Sequence, residues 1–201
     1  MIPFKLIQTS VNKPETRITE KLKPYILGYE YIHFNDFEAI KFFRQYPDEE
    51  FKDIIDLYFD FELGQHKADL FRYYYLYKLG GVFLDSDAML YTQLQGKVLT
   101  CDFFTVVSNN DMTFQGFIGC IPKHEIMYKA LKHCYSSTKY ERENYHVFCK
   151  YLRTVIDDYP KKDRIKLFVE LRHEEGDNPK IVDEYNNTIL VHYINEKSIP
   201  L

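Results

Sequence analysis

The sequence predicts a single α/β domain with a central mixed, mainly parallel sheet flanked by helices. Short apolar segments of strand length alternate along the chain with longer segments of helical periodicity. The chain has 201 residues, of which 45% are hydrophobic, so it can bury one core but is short for two. No Pro-rich, Gly-rich or low-complexity stretch divides it.

The first half of the chain contains clear boundary signals for its helices. Asn35 followed by Glu38 matches a capping box, which starts a helix, and Pro47 ends that helix. Gly80-Gly81 is typical of a left-handed helix end. The expected elements are, in order, strand Lys5–Thr9, helix Thr16–Leu27, strand Tyr29–Phe34, a helix that starts at the Asn35 capping box and runs to about Tyr46, and helices over Asp48–Phe59 and Leu63–Leu79.

The second half begins with short apolar strands and continues with two helices. A polar loop centred on residues 174–180 separates the last two strands. The expected elements are strands Val82–Leu84, Phe103–Val107 and Phe117–Ile121, helices His124–Ser136 and Arg142–Tyr159, and strands Ile165–Val169 and Thr188–Tyr193.

Charge and composition exclude several classes of partner. The formal net charge is −4 and the basic residues are scattered, so nucleic acid is not an expected partner. No window approaches the roughly 20 apolar residues of a membrane span, so we expect a soluble, cytoplasmic protein. The four cysteines lie 14 to 19 residues apart without a Cys-x-x-Cys pair, which indicates reduced thiols rather than a zinc site.

The helix over Leu63–Leu79 is apolar or aromatic nearly all the way round, which predicts that it is buried. Its charged residues therefore need an explanation. Asp69 and Arg72 are three residues apart and project from one face of the helix. They either form an ion pair that ties the helix to the core or reach together into a cleft.

A pair of carboxylates follows this helix directly. After Gly80-Gly81, a short apolar strand ends in Asp85-Ser86-Asp87, and residues i and i+2 of a strand point to the same side. Two carboxylates so placed repel each other unless a cation lies beside them, and oxygen ligands suit Mg²⁺ or Mn²⁺. By itself Asp-x-Asp is also common in solvated turns. Its place at the carboxyl end of an α/β strand favours a metal site.

The stretch from Ala68-Asp69-Leu70-Phe71-Arg72 to Gly80-Gly81-Val82-Phe83-Leu84-Asp85-Ser86-Asp87 closely resembles the signature of glycosyltransferases with a DXD sugar-binding motif. These family 32 enzymes include yeast mannosyltransferases, capsule and lipopolysaccharide sugar transferases and, more distantly, the clostridial glucosylating toxins. The resemblance extends to Gln8-Thr9, which are similar to the end of the family's opening strand. Phe83 occupies a position that is often Tyr in the family.

The resemblance implies a GT-A-like catalytic domain that binds a nucleoside diphosphate sugar through Mn²⁺ or Mg²⁺. It implies that Asp87 ligates the metal and that Asp85 holds the donor ribose or a metal-bound water. Asp69 and Arg72 would contact sugar hydroxyls and a phosphate oxygen. The remaining donor-binding positions that it implies are Gln8, Thr9, Phe83 and Ser86.

Two further residues take expected roles from the resemblance. Relatives transfer sugars with retention, helped by an amide side chain, and Gln115 stands where many of them carry Asn. The alternative for Gln115 is a polar loop residue. His192 closes the last strand where relatives often have a histidine that contributes to the metal site. The alternative for His192 is a hydrogen-bonded histidine at a strand end.

The resemblance does not specify the donor sugar or the acceptor. The expected donor is UDP-glucose or UDP-galactose, with GDP-mannose second, and the expected acceptor is a glycan or glycoprotein. The chain is expected to be a cytoplasmic enzyme, a small viral enzyme or a catalytic domain of a longer protein. Two other functions fit less well. A haloacid-dehalogenase-type phosphatase would need Thr or Val at Met89 and a strand before Gly176-Asp177. A transferase-like domain that only binds a sugar would not need all four polar motif residues, and this chain keeps Asp69, Arg72, Asp85 and Asp87.

Overall fold

The computed structural model describes residues 1–108, 111–171, 178–193 and 195–200. Its strands are β1 (Lys5–Thr9), β2 (Glu30–Phe34), β3 (Gly81–Leu84), β4 (Ala88–Leu90), β5 (Phe103–Ser108), β6 (Met112–Cys120), β7 (Ile165–Leu171), β8 (Lys180–Val182) and β9 (Thr188–His192). Its α-helices are α1 (Thr16–Leu22), α2 (Asp36–Gln45), α3 (Ile54–Asp60), α4 (Gly64–Leu79), α5 (Gln95–Val98), α6 (Glu125–Ser136), α7 (Lys139–Arg142) and α8 (Val147–Asp157).

The nine strands form one sheet in the order β2-β1-β3-β6-β5-β7-β8-β9-β4. The prediction of a mixed α/β sheet is confirmed. The expectation that the sheet is mainly parallel is wrong for the described strands, because only β1–β2, β1–β3 and β5–β7 pair in parallel among eight pairings. Antiparallel neighbours such as β5–β6 and β8–β9 follow each other in the chain without a helical crossover, which parallel pairing requires.

Local sequence signals placed most element boundaries. The capping box at Asn35 and Glu38 is present, and its two hydrogen bonds join each side chain to the other residue's backbone N–H. Helix α1 ends at Leu22 rather than Leu27, because Pro24 has no N–H for an α-helical bond and a 3₁₀ turn follows. The helix expected from Arg142 to Tyr159 is instead divided between α7 and α8.

Two strands were not predicted, and both are three residues long. β4 follows Asp87 within four residues of β3, and β8 begins at Lys180, at the end of the expected polar loop. Residues 172–177 of that loop lie outside the described residues. Such short strands carry too little periodicity to be recognised, and they are specified by the neighbours with which they pair.

Apolar side chains on the two faces of the sheet form two cores. Alternate residues of β3 contribute to different clusters, with Phe83 in one and Val82 and Leu84 in the other. The first cluster holds α4, which has nine buried residues and confirms the prediction of a buried helix. None of the described helices is both long and apolar enough to cross a lipid bilayer.

The turn from α4 into β3 depends on two glycines. Gly80 and Gly81 have φ angles of 65° and 115°, which side-chain-bearing residues rarely adopt. A Cβ atom on Gly80 would lie 2.7 Å from the carbonyl oxygen of Cys120 and 2.8 Å from the Pro122 ring. The glycine pair therefore allows the buried helix to turn directly into β3, the strand that leads to Asp85.

We expect Gly80→Ala to lower the free energy of unfolding by about 2–5 kcal/mol, because the backbone strain adds to the overlap with residues 120 and 122. Gly96→Ala is the matched control, since no atom lies within 4 Å of the added methyl group and its φ is not positive. Chemical denaturation of both variants measures the difference. Equal stability of the two variants would contradict this account of the turn.

A buried carboxylate holds the turn between β8 and β9. Asp183 is 4% exposed and accepts hydrogen bonds from the backbone N–H groups of Tyr185 and Asn187. Its other oxygen lies 2.7 Å from the Lys97 ammonium in α5. Burial alone would raise the pKa of Asp183, but Lys97 and the Asn187 hydrogen bonds lower it well below its usual value.

We expect Asp183→Asn to lower the free energy of unfolding at pH 7 by about 2–4 kcal/mol. Because the folded-state pKa is depressed, this stabilisation is present above about pH 4 and is lost as the pH falls further. The gap between variant and wild type in urea titrations should therefore narrow in acid. Glu184→Gln is the control, because its exposed ion pair with Lys166 contributes little. A gap that stays constant from pH 7 to pH 3 would argue against the linkage.

Candidate active site

A cavity of about 680 Å³ opens at one edge of the sheet. Its walls come from the carboxyl ends of β1, β3, β5, β7 and β9, from the start of β6, and from α4 and α8. This is the edge at which α/β sheets bind ligands. Eight of the ten predicted site residues line the cavity. They are Thr9, Asp69, Arg72, Asp85, Ser86, Asp87, Gln115 and His192.

Asp85 is fixed in the cavity by contacts to its backbone and its side chain. Its N–H donates to the carbonyl of Gly116 at 2.8 Å, and its carbonyl accepts from Nε2 of Gln8 at 3.0 Å. One carboxylate oxygen lies 3.3 Å from Nη2 of Arg72. A Cβ atom on Gly116 would lie 2.3 Å from the other oxygen, so only glycine leaves room for this carboxylate.

Arg72 lies at the centre of the charged groups and is only 5% exposed. Its Nη1 donates to the carbonyl of Gln115 at 2.6 Å, and its guanidinium lies 4.2 Å from the centre of the Phe83 ring. Burial opposes its charge, but Asp85 and Asp69 outweigh that effect and raise the pKa of Arg72. Arg72 is therefore a permanent positive charge between two carboxylates.

Asp69 is buried and is an unfavourable place for a negative charge. Its side chain lies 3.6 Å from Nε of Arg72 and is 5% exposed. Burial raises the pKa of Asp69 to about 6, with a further increase from the charge of Asp85, and Arg72 offsets only part of that rise. Both interpretations of the Asp69–Arg72 pair fit the geometry. The two side chains form an ion pair with each other, and both also line the cavity.

Asp85, Asp87 and His192 form a group whose ligand atoms all lie within 4.8 Å of one another. The antiparallel pairing of β4 with β9 sets Ala88 opposite His192, which brings the imidazole to 3.4 Å from the Asp87 carboxylate. Burial would lower the pKa of His192, but the hydrogen bond and charge of Asp87 and the charge of Asp85 raise it overall. Two carboxylates and one imidazole fit Mn²⁺ as a donor set, while Mg²⁺ prefers oxygen alone.

Gln115 lies in the cavity wall with its amide orientation fixed. Its Oε1 accepts a hydrogen bond from the hydroxyl of Tyr73, and its Nε2 is buried without a hydrogen-bond partner among the described residues. The side chain is 3% exposed. Of the two ends of this amide, Oε1 is therefore already hydrogen-bonded and Nε2 is not.

Two of the predicted donor-binding residues do not line the cavity. Gln8 is 0% exposed and Phe83 is 1% exposed, and both lie behind residues that do line it. Phe83 supports Arg72 from beneath, and Gln8 supports the main chain of Asp85. The resemblance supplied these positions, but in this structure their contacts are with protein groups.

Several cavity residues were not predicted. Ser108 and Glu170 end the adjacent parallel strands β5 and β7 and share a hydrogen bond, and their place at strand ends was the available signal. Tyr145, His146 and Cys149 come from the α7–α8 region, which was expected to be a continuous helix. No motif marks these three residues.

A family model described as the glycosyltransferase sugar-binding region containing a DXD motif matches residues 13–109. The matched residues make up just under half of the chain and include the Asp85-Ser86-Asp87 motif. Among solved structures, the PaToxG glycosyltransferase is similar in fold, with a TM-score of 0.56 and 11% sequence identity over 77% of this chain and 69% of that chain. This likeness, together with the mixed sheet, supports a GT-A-like fold. No curated protein matches the sequence.

These findings support glycosyl transfer in preference to phosphate-ester hydrolysis. Met89, where the phosphatase chemistry would need Thr or Val, is a buried residue of β4 and does not line the cavity. Gly176-Asp177, the late acidic motif that a phosphatase would require, lies outside the described residues.

The raised pKa of Asp69 predicts a stability cost at neutral pH. The folded-state pKa of about 6 exceeds the ordinary value, so the protonated form of Asp69 is favoured in the folded protein. Its contribution to the free energy of unfolding is fully present below about pH 4 and is lost as the pH rises through 6. We expect Asp69→Asn to increase the free energy of unfolding at pH 7.5 by about 1–3 kcal/mol, with little gain at pH 4.

Urea unfolding of the wild type and Asp69→Asn at the two pH values measures this effect. Asp157→Asn is the control, because its exposed carboxylate forms an i,i+4 pair with Arg153 on the surface of α8. A variant that is less stable than the wild type at pH 7.5 would show that Asp69 stabilises the fold through Arg72.

Proposed function

We propose that this domain transfers a hexose from a nucleoside diphosphate sugar to a hydroxyl of a carbohydrate or glycoprotein acceptor, with a divalent cation as cofactor. The observation that carries the proposal is the meeting of two groups in one cavity: the Asp85, Asp87 and His192 cluster and the buried Asp69–Arg72 pair. UDP-glucose or UDP-galactose is the proposed donor, with GDP-mannose as the second choice.

The three-residue cluster is the proposed seat of Mn²⁺, with Mg²⁺ as the alternative. Asp87 and His192 would ligate the ion, and Asp85 would ligate it through a water or hold the donor ribose. When bound, the cation neutralises the charge that develops on a diphosphate leaving group. Thr9 and Ser86 line the cavity beside these carboxylates and would contact the nucleotide.

The Asp69–Arg72 pair is the proposed site for the sugar. The Asp69 carboxylate can accept hydrogen bonds from sugar hydroxyls, and Arg72 has N–H groups beyond those that it donates to Gln115 and Asp85. Low exposure makes these bonds strong, because water competes poorly at a buried site. The energetic cost of burying Asp69 supports a role in binding or catalysis rather than in stability.

The stereochemical part of the proposal is retention. Gln115 is the proposed amide beside the reacting centre, and its buried Nε2 has no hydrogen-bond partner among the described residues. Proximity of donor and acceptor in one cavity, rather than a dedicated base, would supply most of the rate. Residues 1–201 are proposed to form one catalytic domain.

Replacement of Asp87 tests the proposal. With Mn²⁺ and a panel of UDP- and GDP-sugars, we expect the wild type to release nucleoside diphosphate slowly and Asp87→Asn to be at least about 100-fold slower. Asp102→Asn is the matched control, because its carboxylate pairs with Arg164 at the opposite end of β5 from the cavity. We expect the control variant to keep wild-type activity.

Three results would reject the proposal. Turnover that is equal in Asp87→Asn and Asp102→Asn would place the chemistry elsewhere. Turnover that persists in chelator would remove the cation from the mechanism. Cleavage of a simple phosphate ester, without hydrolysis or binding of any nucleotide sugar, would favour a phosphatase.

A further inference from the structure

We propose that Gln8 is a positioning residue of the metal site, and that the hydroxyl of Tyr31 sets the orientation in which Gln8 works. The inference rests on the metal-dependent function proposed above. It assigns Gln8 a contact with the main chain of the Asp85–Asp87 turn, in place of a contact with the nucleotide sugar.

The first support is the position of Gln8. It lies in β1, which pairs in parallel with β3, so its side chain stands next to the point where β3 ends and Asp85 begins. The side chain is 0% exposed and does not line the cavity. Its Nε2 instead donates to the backbone carbonyl of Asp85 at 3.0 Å, a contact between residues 77 positions apart.

The carbonyl that Gln8 holds also closes the turn that carries both carboxylates. The oxygen of Asp85 accepts the N–H of Ala88 at 3.1 Å, which makes residues 85–88 a hydrogen-bonded turn. The N–H of Asp85 is held from the other side by Gly116 at 2.8 Å. A rigid side-chain amide at this carbonyl therefore fixes the turn as a unit, and with it Asp87.

The orientation of the amide is set by Tyr31. An amide has a donor end and an acceptor end, and the wrong end would set two carbonyl oxygens against each other. The hydroxyl of Tyr31 donates to Oε1 of Gln8 at 2.8 Å, which leaves Nε2 for Asp85. Burial, with a smaller effect from Glu196, raises the pKa of Tyr31 to about 12, so this hydroxyl keeps its proton at neutral pH.

The strand register explains why these two residues meet. Gln8 pairs with His33 of β2, and Tyr31 lies two residues before His33, on the same face of the sheet. Gln8, Tyr31 and the Asp85 carbonyl therefore form a chain of hydrogen bonds across three adjacent strands. Removal of a group that orients a metal ligand through a hydrogen bond commonly weakens metal binding by about 10–100-fold.

The affinity of the metal-free protein for added Mn²⁺, measured by electron paramagnetic resonance of the free ion, tests the inference without turnover. We expect Gln8→Met to weaken Mn²⁺ binding by about 10–100-fold and Tyr31→Phe by about 10-fold. The Gln8→Met/Tyr31→Phe double variant should bind no more weakly than Gln8→Met, because Tyr31 acts through the Gln8 amide. Tyr29→Phe is the matched control, since the Tyr29 hydroxyl is buried without a partner among the described residues.

The outcomes separate this inference from the proposed function. A wild type that binds no Mn²⁺ rejects the metal site and the inference together. If the wild type binds Mn²⁺ and Asp87→Asn does not, wild-type affinity in Tyr31→Phe overturns the inference alone. A lower melting temperature in Gln8→Met with unchanged affinity would also overturn it, because Gln8 would then stabilise the fold without positioning the turn. Should Gln8→Met not fold, Tyr31→Phe decides, as it removes only one oxygen atom.

Discussion

The buried guanidinium of Arg72 is the interaction on which the rest of the site depends. Two carboxylates, Asp69 and Asp85, lie beside it in surroundings that raise the pKa of both. The positive charge of Arg72 lowers the pKa of each carboxylate and so favours its ionised form. Phe83 beneath the guanidinium and the Gln115 carbonyl at its tip keep it in place. A single residue thus links α4, β3 and β6 at the cavity.

The same arrangement explains why helix α4 is so aromatic. A helix that presents charged side chains at one end of a cavity must be held rigidly elsewhere. Rings from α2, α6 and α8 pack against α4. Phe42, Phe71 and Tyr75 contact one another at centroid distances of 4.7 to 6.0 Å. Aromatic contacts of this kind contribute packing energy and restrict rotation. The cost of burying Asp69 is therefore offset by a core that does not depend on the site.

The metal-site geometry has a different origin, because it depends on the sheet rather than on the helix. Asp85 and Asp87 flank the turn between β3 and β4, while His192 ends β9. The pairing of β4 with β9, together with the hydrogen bond from the Tyr193 N–H to the Asp87 carbonyl, brings the histidine to the carboxylates. The proposed cation would then join both edges of the turn to a strand that lies far away in the chain. A site of this kind is sensitive to small shifts in the sheet, which is consistent with the several backbone contacts that hold Asp85.

Sequence by itself determined the parts of this protein that rest on short-range spacing. The capping box of α2, the buried character of α4, the glycine stop and the two carboxylates after β3 all follow from neighbours within one or two helical turns or one strand. Tertiary structure alone decided the contacts between distant segments. It placed His192 beside Asp87, turned the Gln8 amide toward Asp85, divided the α7–α8 region and made the sheet more antiparallel than expected. Those features depend on which strands pair and in what register, and pairing energies are shared among many side chains, so no local period in the sequence records them.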